Sequence, residues 1–381
     1  MKIFVTGTRG IPDIPGGVEK HCQELYPLIA AKGHEVHLCT RSCYVTNGKP
    51  EWQGVKLNHC FAPRRKSLEA LVHTFISLLK ARWLCPDVVH IHAIGPSILT
   101  PLARLMGLKV VVTNHGPDYD RQKWGRFAKL VLRAGEKMGG LYANEVIVIS
   151  SVIANIVNKR CNRETYLINN GVSVPEKSKR TDFLNQLNLK PLNYALAVSR
   201  FVPEKGLHDL IDAFKLLRGD YKLVIAGDAD HETDYSRKIR QLAAEENRIV
   251  LTGYITGESL NQIYSNARLF VLPSYHEGLP IALLEAMSYG LPVLVSDIPA
   301  NLEVDLPAER YFKCGDEEDL RGKMVSLLEA GLSEAEKRDM RLRVAEKYNW
   351  LKIAEQTVEV YRKALAGKRG KREAKSLHTS A

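Results

Sequence analysis

The chain has 381 residues, enough for two domains of ordinary size. Its composition, 45% hydrophobic and 25% charged, is that of a globular protein and excludes global disorder. The formal net charge of +11 indicates an anionic partner, which could be a nucleotide, a nucleic acid or a membrane surface. Nucleic acid is the weakest of these, because the sequence has no basic strand interleaved with aromatic residues.

Cysteine usage and the lengths of the apolar runs indicate the cellular compartment. Seven cysteines are scattered without a Cys-x-x-Cys pair, which favours a reducing cytosol over a disulfide framework or a zinc ribbon. No apolar run reaches the ~18–20 residues that a membrane-spanning helix needs, and the N-terminus "MKIFVTGTRG" lacks a signal-peptide pattern. We therefore expect a cytoplasmic protein.

From the N-terminus, strands rich in Val and Ile alternate with helices. The predicted strands are 2–6, 35–40, 87–92, 109–113 and 145–150, and the predicted helices are 18–31, about 96–106 and about 124–142. Short apolar strands separated by helices are typical of a parallel sheet covered on both faces. The sequence thus predicts a Rossmann-like domain over residues 1–172.

After a polar linker the same alternation begins again. The predicted strands are 194–199, 221–227, 248–253, 268–273 and 292–296, and the predicted helices are 206–217, about 233–245, 257–266 and 280–289. A second Rossmann-like domain over 190–348 is followed by a helix over 349–366 and a basic tail over 367–381. The predicted fold class is α/β, with two doubly wound domains facing a central cleft where ligands meet the carboxyl ends of strands.

Two loops that follow strands could hold phosphate. The loop from Gly7 to Gly17 lacks the G-x-G-x-x-G spacing and a Walker lysine, but Gly16 and Gly17 allow a close approach of backbone to a ligand. In "SRFVPEKG" (199–206), Arg200 and Lys205 emerge at the carboxyl end of a strand. Two cations there suit a diphosphate, whose charge grows as it leaves, although such a pair can also be merely solvated.

The stretch "HEGLPIALLEAMSYGLPV" (276–293) carries two carboxylates. Pro280 is suited to the first turn of a helix, whose free N–H groups, preceded by Gly278 and Leu279, favour an anion. Glu277 lies just outside that helix, where it could bind sugar hydroxyls or cap the helix. Glu285 lies within it and could accept two hydrogen bonds from a vicinal diol. Its apolar neighbours disfavour a purely surface position.

Histidines in the first half could also contribute to a site. His115, in "TNHGPDYDRQKWG" (113–125), follows a strand and could hydrogen-bond a substrate hydroxyl, although a packed histidine is nearly as consistent with the pattern. His90 and His92 share one face of a strand. Without a third ligand in view, we interpret them as packing residues and not as a zinc site.

Two Asp-x-Asp triplets, 118–120 and 228–230, could suggest a Mg²⁺-dependent transferase. So short a pattern often arises by chance. The Arg–Lys pair and the helix N-terminus already neutralise a diphosphate, so we interpret both triplets as structural and expect neither metal nor cofactor.

Taken in order, these motifs resemble the GT-B retaining glycosyltransferases, specifically glycosyltransferase family 4. The resemblance covers nearly the whole chain and depends above all on "EGLPIALLEAMSYGLPVLVS", which matches the E-x7-E element of the family. A looser resemblance of "HGPDYDRQKWGRFAKLVLRAGE" to a rhamnosyltransferase-containing subgroup is partial. One departure is Gly227, which Asp228 and Ala229 follow where many relatives have a GxG loop.

The resemblance implies roles for individual residues. Glu285 would hold the ribose of the nucleotide, and Glu277 would contact the donor sugar. Arg200 and Lys205 would bind the diphosphate, and His115 would lie near the transferred sugar. The catalytic set is therefore His115, Arg200, Lys205 and Glu277.

Further donor-binding positions follow from the same resemblance. Gly16 and Gly17 would lie beside the donor phosphate and the acceptor, and Gly278 and Leu279 would present the start of the helix. Recognition of the base is expected from backbone around Ile255. In this family the last helix crosses back onto the N-terminal domain.

The reaction implied is transfer of a sugar from a nucleotide-sugar, with UDP as the default base, to a glycan or lipid-linked acceptor with retained configuration. Surface polysaccharide or glycolipid synthesis is the expected setting. Alternatives are a non-catalytic nucleotide-sugar-binding protein or a nucleotide-sugar epimerase on the same fold. A phosphorylase would need a cofactor lysine and a longer chain.

The segment "RRKSLEALVHTFISLLKARWL" (64–84) begins with three cations and continues with apolar residues at helical spacing. The simpler interpretation is a helix that packs this apolar stripe onto the first sheet. The cations at its ends and the basic C-terminal tail could nevertheless face anionic lipid, which would make the protein a peripheral enzyme of the cytoplasmic membrane face.

Overall fold

A computed structural model describes residues 1–45, 48–63, 68–120, 125–229 and 231–367. The chain divides into two compact units. The first consists of Met1–Asn170 together with the segment that begins at Trp350, and the second is Gly171–Asn349. The predicted tail, apart from Gly367, lies outside the described residues, as do the three cations at 64–66.

The first unit contains eight strands and six helices in its described parts. The strands are β1 (Lys2–Thr6), β2 (Glu35–Arg41), β3 (Glu51–Trp52), β4 (Val55–Cys60), β5 (Val88–His92), β6 (Val110–Asn114), β7 (Glu145–Val148) and β8 (Tyr166–Leu167). The helices are α1 (Gly17–Ala31), α2 (Glu69–Leu84), α3 (Thr100–Leu105), α4 (Arg126–Tyr142), α5 (Ser151–Cys161) and, at the C-terminus, α14 (Trp350–Ala366). Short 3-10 turns cover Pro96–Leu99 and Asp118–Asp120.

The strands of the first unit form one sheet in the order β3-β4-β2-β1-β5-β6-β7-β8. All neighbours pair in parallel except β3, which is antiparallel to β4. The chain moves outward from β1 to β2 and then returns to place β5 on the other side of β1. This reversal is a topological switch point, beside which ligands bind in such sheets.

The C-terminal helix α14 belongs to the core of the first unit. Trp350, Ile353, Val358 and Tyr361 are buried in the same cluster as residues of β1, β2 and α1, and α14 packs directly against α1. The helix expected over 349–366 thus spans Trp350–Ala366 in the structure, and residues far apart in sequence share one hydrophobic core.

In its described residues the second unit contains six strands and eight helices. The strands are β9 (Tyr194–Val198), β10 (Lys222–Ala226), β11 (Ile249–Gly253), β12 (Leu269–Leu272), β13 (Val293–Ser296) and β14 (Tyr311–Phe312). The helices are α6 (Asp182–Gln186), α7 (Leu207–Lys215), α8 (Asp234–Ala244), α9 (Gly257–Ser265), α10 (Ile281–Ser288), α11 (Pro299–Leu302), α12 (Glu317–Ala330) and α13 (Glu334–Lys347). Pro203–Lys205 and Ala308–Arg310 are 3-10 turns.

The second sheet is parallel throughout, in the order β11-β10-β9-β12-β13-β14. Its switch point lies between β9 and β12, because the chain runs outward from β9 to β11 and then returns to the opposite side of β9. The predicted α/β fold class with two Rossmann-like units is confirmed. Within the described residues, no helix is both long and apolar enough to cross a bilayer.

The simpler interpretation of α2, a helix that packs its apolar stripe onto the sheet, is wrong. The buried face consists of Glu69, His73, Thr74, Ser77, Leu78 and Ala81. The large apolar residues Phe75, Leu79 and Trp83 are exposed, Trp83 to 88%. Small and hydrogen-bonded side chains cover the sheet instead, since Glu69 pairs with Arg41 at 2.6 Å and Ser77 donates to Cys39 Sγ.

Candidate functional site

The predicted diphosphate-binding residues lie at the switch point of the second sheet. Arg200 follows β9, and Lys205 ends the 3-10 turn that leads into α7. Gly206 has a positive φ of 60°, and a Cβ there would lie 2.1 Å from the carbonyl oxygen of Pro273, which follows β12. Only glycine lets these two backbones approach so closely. The loops after β9 and β12 are therefore held in contact.

This approach brings Lys205 and Glu277 together. Lys205 Nζ lies 2.5 Å from Glu277 Oε1, and Ser274 Oγ donates to the same oxygen at 2.7 Å. Both members of the ion pair are largely buried, with side-chain exposures of 18% and 9%. In the described part of the chain, Glu277 Oε2 has no hydrogen-bond partner and can accept from a ligand hydroxyl. Ser274 was not singled out from the sequence.

Helix α10 begins four residues after Glu277 with an open N-terminus. Pro280 is the N-cap residue, and no side chain caps the helix. The first intrahelical bonds run from Leu283 and Leu284 to the Pro280 carbonyl, so the N–H groups of Ile281 and Ala282 precede them. Such groups, with the helix dipole, favour an anion. Glu277, which bonds to Lys205, is not the helix cap.

Glu285 is partly buried on α10. Tyr264 Oη on α9 donates to Glu285 Oε2 at 3.2 Å, and the Tyr264 ring stacks on Tyr289 with centroids 4.9 Å apart. Burial and the nearby Glu285 carboxylate raise the pKa of Tyr264, so its hydroxyl stays a donor. The carboxylate is thus held by a tyrosine that sequence reasoning missed, because α9 and α10 meet only in the fold.

The loops after β10 and β11 flank the same strand ends. Gly227 has a φ of 134°, and a Cβ there would lie 2.0 Å from the Ser199 carbonyl oxygen. Asp228 forms an ion pair with Arg240 at 2.5 Å and accepts a hydrogen bond from the backbone N–H of Ala229. Its carboxylate therefore already has partners close to it in the same unit. Asp230 lies outside the described residues. Ile255, the predicted base-binding position, is partly exposed after β11.

In the first unit, Gly16 and Gly17 start α1. Gly16 has a φ of 142°, and a Cβ there would lie 2.1 Å from Glu19 Oε2. Arg9 is ion-paired with Glu19 at 3.3 Å. Burial alone would raise the pKa of Glu19, but the charge and hydrogen bonds of Arg9 outweigh burial and lower it. The glycine loop therefore encloses a buried Arg–Glu pair that was not anticipated.

His115 follows β6 and belongs to a cluster of histidines. His115 Nε2 lies 2.9 Å from His92 Nδ1, and one ring nitrogen each from His21, His92 and His115 lie within 4.8 Å of one another. His92 and His90 were considered as a pair without a third ligand. The structure adds His21 and His115. Among the described residues, His21, His92 and His115 form the group whose geometry could hold a metal ion.

The Asp118–Asp120 triplet forms a 3-10 turn. Its middle residue, Tyr119, is buried beneath Arg160, whose guanidinium lies 4.7 Å from the ring centroid, and its hydroxyl donates to Glu136. The turn is anchored by this tyrosine. The interpretation of the triplet as structural, with no metal, remains a prediction.

Sequence comparisons identify the families that the two units resemble. A family described as glycosyltransferase family 4 matches residues 15–175, and one described as glycosyl transferases group 1 matches residues 179–347. The glycogen synthase of Mycobacterium tuberculosis is 26% identical over 413 aligned positions, covering 98% of this chain and 96% of the relative.

Solved structures share the fold. Sucrose-phosphate synthase from Thermosynechococcus elongatus matches with a TM-score of 0.81 at 23% identity, over 96% of this chain and all of the other. Anabaena HepE, solved in complex with UDP and glucose, matches with a TM-score of 0.77 at 18% identity, over 94% of this chain and 98% of HepE.

Proposed function

We propose that this chain, a glycosyltransferase that belongs to glycosyltransferase family 4, moves a sugar from a nucleotide-sugar to an acceptor hydroxyl with retained configuration. UDP is the proposed base, a choice supported by the similarity in fold to HepE, which was solved with UDP and glucose. Polysaccharide or glycolipid synthesis is the proposed setting, supported by the full-length similarity to a glycogen synthase.

The observation that carries this proposal is the Lys205–Glu277 pair beside the open N-terminus of α10. A diphosphate bound there would face the Lys205 ammonium and the N–H groups of Ile281 and Ala282, all of which favour negative charge. As Lys205 turns toward phosphate, Glu277 is freed to accept hydroxyls of the donor sugar. Glu285, fixed by Tyr264, would accept both ribose hydroxyls.

The chemistry proposed is a front-face displacement. The bond from the anomeric carbon to the phosphate oxygen breaks, the acceptor oxygen bonds the same face of that carbon, and the acceptor proton passes to the leaving phosphate. Double displacement would need a nucleophilic carboxylate close to a second carboxyl group, whereas in this proposal Glu277 accepts hydrogen bonds from hydroxyls of the donor sugar. Arg200 and Lys205 would stabilise the charge on the leaving diphosphate, and His115 would contact the sugar.

Product analysis tests the reaction. The purified protein is incubated with a panel of nucleotide-sugars, with and without glycan and lipid-linked acceptors. We expect release of nucleoside diphosphate. We also expect NMR of the product to show a retained anomeric configuration. Binding without release would indicate a nucleotide-sugar-binding protein. A new sugar-nucleotide without free diphosphate would indicate an epimerase.

We also propose that the acceptor is lipid-linked and that helices α2, α3 and α4 face an anionic membrane surface. These helices expose large apolar side chains, namely Phe75, Leu79, Trp83, Leu105, Phe127 and Leu130. Their only carboxylates are Glu69 and Glu136, which are buried against Arg41 and Arg160. A surface of aromatic, aliphatic and cationic side chains without exposed carboxylates suits the interface of an anionic bilayer.

A further inference from the structure

Buried polar side chains of the first unit form one continuous line of hydrogen bonds that ends at His115. The line crosses α1, β5 and β6 and passes through Thr113, His90, Tyr26, His92 and His115. Thr113 and His90 are fully buried, as are Tyr26 and His92, whereas His115 is partly exposed. A ligand that contacts His115 therefore meets the accessible end of a line whose other members are inaccessible to solvent.

Each link has hydrogen-bonding distance. Thr113 Oγ1 lies 2.7 Å from His90 Nε2, and His90 Nδ1 lies 2.9 Å from Tyr26 Oη. Tyr26 Oη lies 2.5 Å from His92 Nε2, and His92 Nδ1 lies 2.9 Å from His115 Nε2. Both ring nitrogens of His90 and both of His92 therefore make hydrogen bonds to other members of the line.

All three imidazoles are neutral at physiological pH. Burial, followed by the neighbouring histidines, lowers the pKa of His90 and of His115 to about 3, and the same causes lower the pKa of His92 well below its usual value. A neutral imidazole has one protonated nitrogen, which donates, and one bare nitrogen, which accepts. The tautomer of each ring is therefore determined by its neighbour.

The direction of the line is set at Thr113. In the part of the chain that the structure describes, the Thr113 hydroxyl hydrogen-bonds only to His90 Nε2. A buried hydroxyl proton needs an acceptor, so Thr113 donates and His90 Nε2 is bare. The His90 proton then lies on Nδ1, directed at Tyr26 Oη and at Tyr361 Oη, which is 2.7 Å away.

The remaining protons follow in order. Tyr361, which is also fully buried, has Tyr26 as its other hydrogen-bond partner, so its hydroxyl donates to Tyr26 Oη. The hydroxyl of Tyr26 accepts from His90 and Tyr361 and donates to His92 Nε2. His92 is consequently protonated on Nδ1 and donates to His115 Nε2. The proton of His115 is therefore on Nδ1, which has no hydrogen-bond partner among residues 1–45, 48–63, 68–120, 125–229 and 231–367. The opposite direction would leave the Thr113 proton without an acceptor.

We propose that this network holds His115 as the Nδ1–H tautomer, so that His115 donates a hydrogen bond to a substrate oxygen and does not act as a general base. Tyr26 and His92 are positioning residues, because they act through His115. The statement about the substrate rests on the proposed function and deepens it, since it requires an oxygen acceptor on the sugar. The tautomer itself is a property of the free protein.

A metal ion is the competing occupant of this cluster. His21 Nδ1 bonds to Asn170 Oδ1, which leaves His21 Nε2 to face His92 and His115 as a third potential ligand. Two nitrogens bound to tetrahedral zinc at about 2.0–2.1 Å lie roughly 3.3–3.4 Å apart. The 2.9 Å separation of His92 Nδ1 and His115 Nε2 is shorter and fits a shared proton.

Nitrogen-15 NMR of the full chain, labelled in histidine only, tests the tautomer directly. Long-range proton–nitrogen correlations distinguish a protonated Nδ1 from a protonated Nε2, and the His115→Asn variant identifies the signals of His115. We expect a protonated Nδ1 and a bare Nε2 for His115, unchanged after one equivalent of Zn²⁺. A protonated Nε2, a doubly protonated ring, or zinc-induced shifts of His21, His92 and His115 together would overturn the proposal.

Paired substitutions test the consequence for activity. The amide nitrogen of Asn occupies nearly the place of Nδ1, whereas that of Gln reaches nearer to Nε2, so His115→Asn should retain at least tenfold more activity than His115→Gln. Equal losses, or a more active Gln variant, would contradict the donor role. Because the NMR experiment needs no substrate, its result is independent of whether the proposed transferase reaction is correct.

The Tyr26→Phe variant tests the positioning role, with Tyr194→Phe as its control. Tyr194, in the second unit, is equally buried, and its hydroxyl donates to the carbonyl of Ile263 in that same unit. The control variant therefore also loses one buried tyrosine hydroxyl. Only Tyr26→Phe should change the histidine tautomer signals, with a fall in kcat larger than the change in KM. Unchanged signals and kcat in a folded Tyr26→Phe protein would count against the network.

Discussion

Lys205 and Glu277 illustrate how much of the candidate site depends on single residues. In the ligand-free chain, each neutralises the charge of the other at a distance of 2.5 Å in a largely buried place. A donor diphosphate offers Lys205 a partner with two phosphates, and the negative charge on it grows toward the transition state. The contribution of Lys205 should therefore be larger in the transition state than in the bound donor.

Replacement of Lys205 by alanine tests this role. The Lys205→Ala variant should lower kcat by about 2–4 kcal/mol, which is roughly 30-fold to 900-fold, with a smaller effect on KM. Lys215→Ala serves as the control, because Lys215 forms a more exposed ion pair with Glu245 in the same unit. Single-turnover kinetics should place the loss in the chemical step. An unchanged rate of that step would contradict the diphosphate assignment.

The buried histidines predict a dependence of stability on pH. Burial lowers the pKa of His21 and of His90 to about 3, whereas unfolded histidine has a pKa of about 6.5. The folded state thus binds fewer protons between these values. The stabilisation is complete above pH ~6.5 and is lost as the pH falls toward 3. At pH 5 the expected loss is about 2 kcal/mol for each histidine.

Tryptophan fluorescence can measure this loss in the first unit alone, because all four tryptophans lie in sequence segments assigned to that unit. Urea unfolding at pH 7.5 and pH 5.0 should give a lower free energy of unfolding at pH 5.0. The His90→Gln variant should show a shallower dependence on pH. A free energy of unfolding that is independent of pH over this range would show that these histidines bind protons as readily in the folded protein as in the unfolded chain.

The position of each candidate site residue on its loop or helix could be predicted from the sequence, but its partners could not. Spacing and the start of α10 indicated Glu277, Glu285 and the pair Arg200–Lys205. The contact of Lys205 with Glu277 depends on β9 and β12 being neighbours, which no local pattern reveals. Tyr264, which bonds to Glu285, was missed for the same reason.

At the scale of elements, α2 shows that helical periodicity predicts a helix without fixing which face is buried. The apolar stripe was expected to pack inward, yet Phe75 and Leu79 are each more than two-fifths exposed. The inward face contains Ser77, Ala81 and Glu69, whose small volume or ion pair lets the helix lie close to the sheet. The membrane contact proposed for α2 rests on this outward-facing apolar side.

Liposome co-sedimentation tests the outward face of α2. A Phe75→Ser, Leu79→Ser, Trp83→Ser triple variant should lose most of its binding to anionic vesicles, because the apolar residues that enter the interface are removed. The control is Leu342→Ser, which alters an exposed leucine of α13 in the other unit. Wild-type binding should weaken at high salt. Equal binding by the triple variant and the wild type would contradict the assignment of this face.

At the scale of the whole molecule, the chain begins and ends in the same unit. Helix α14 contributes Trp350, Ile353 and Tyr361 to a core built mainly from the first 170 residues. The helix and its limits could be predicted from the sequence, and the family resemblance suggested where it returns. Its role as part of the core follows only from the packing against α1.

Two truncations separate this role from that of the tail. Removal of residues 350–381 should expose the apolar core of the first unit and cause it to unfold or aggregate, whereas removal of residues 368–381 should leave the thermal midpoint unchanged. Circular dichroism and limited proteolysis would show the difference. A cooperatively folded first unit after the longer truncation would contradict the assignment of α14 to its core.

In the proposed function, the unit of residues 171–349 binds the nucleotide-sugar, with Glu285 on the ribose. Calorimetric titration of the intact chain with a panel of nucleoside diphosphates and nucleotide-sugars measures this most directly. We expect binding of at least one member of the panel, UDP-sugars first, and a loss of at least tenfold in affinity in the Glu285→Ala variant. Affinity unchanged by that substitution, or no binding by any member of the panel, would contradict this proposal.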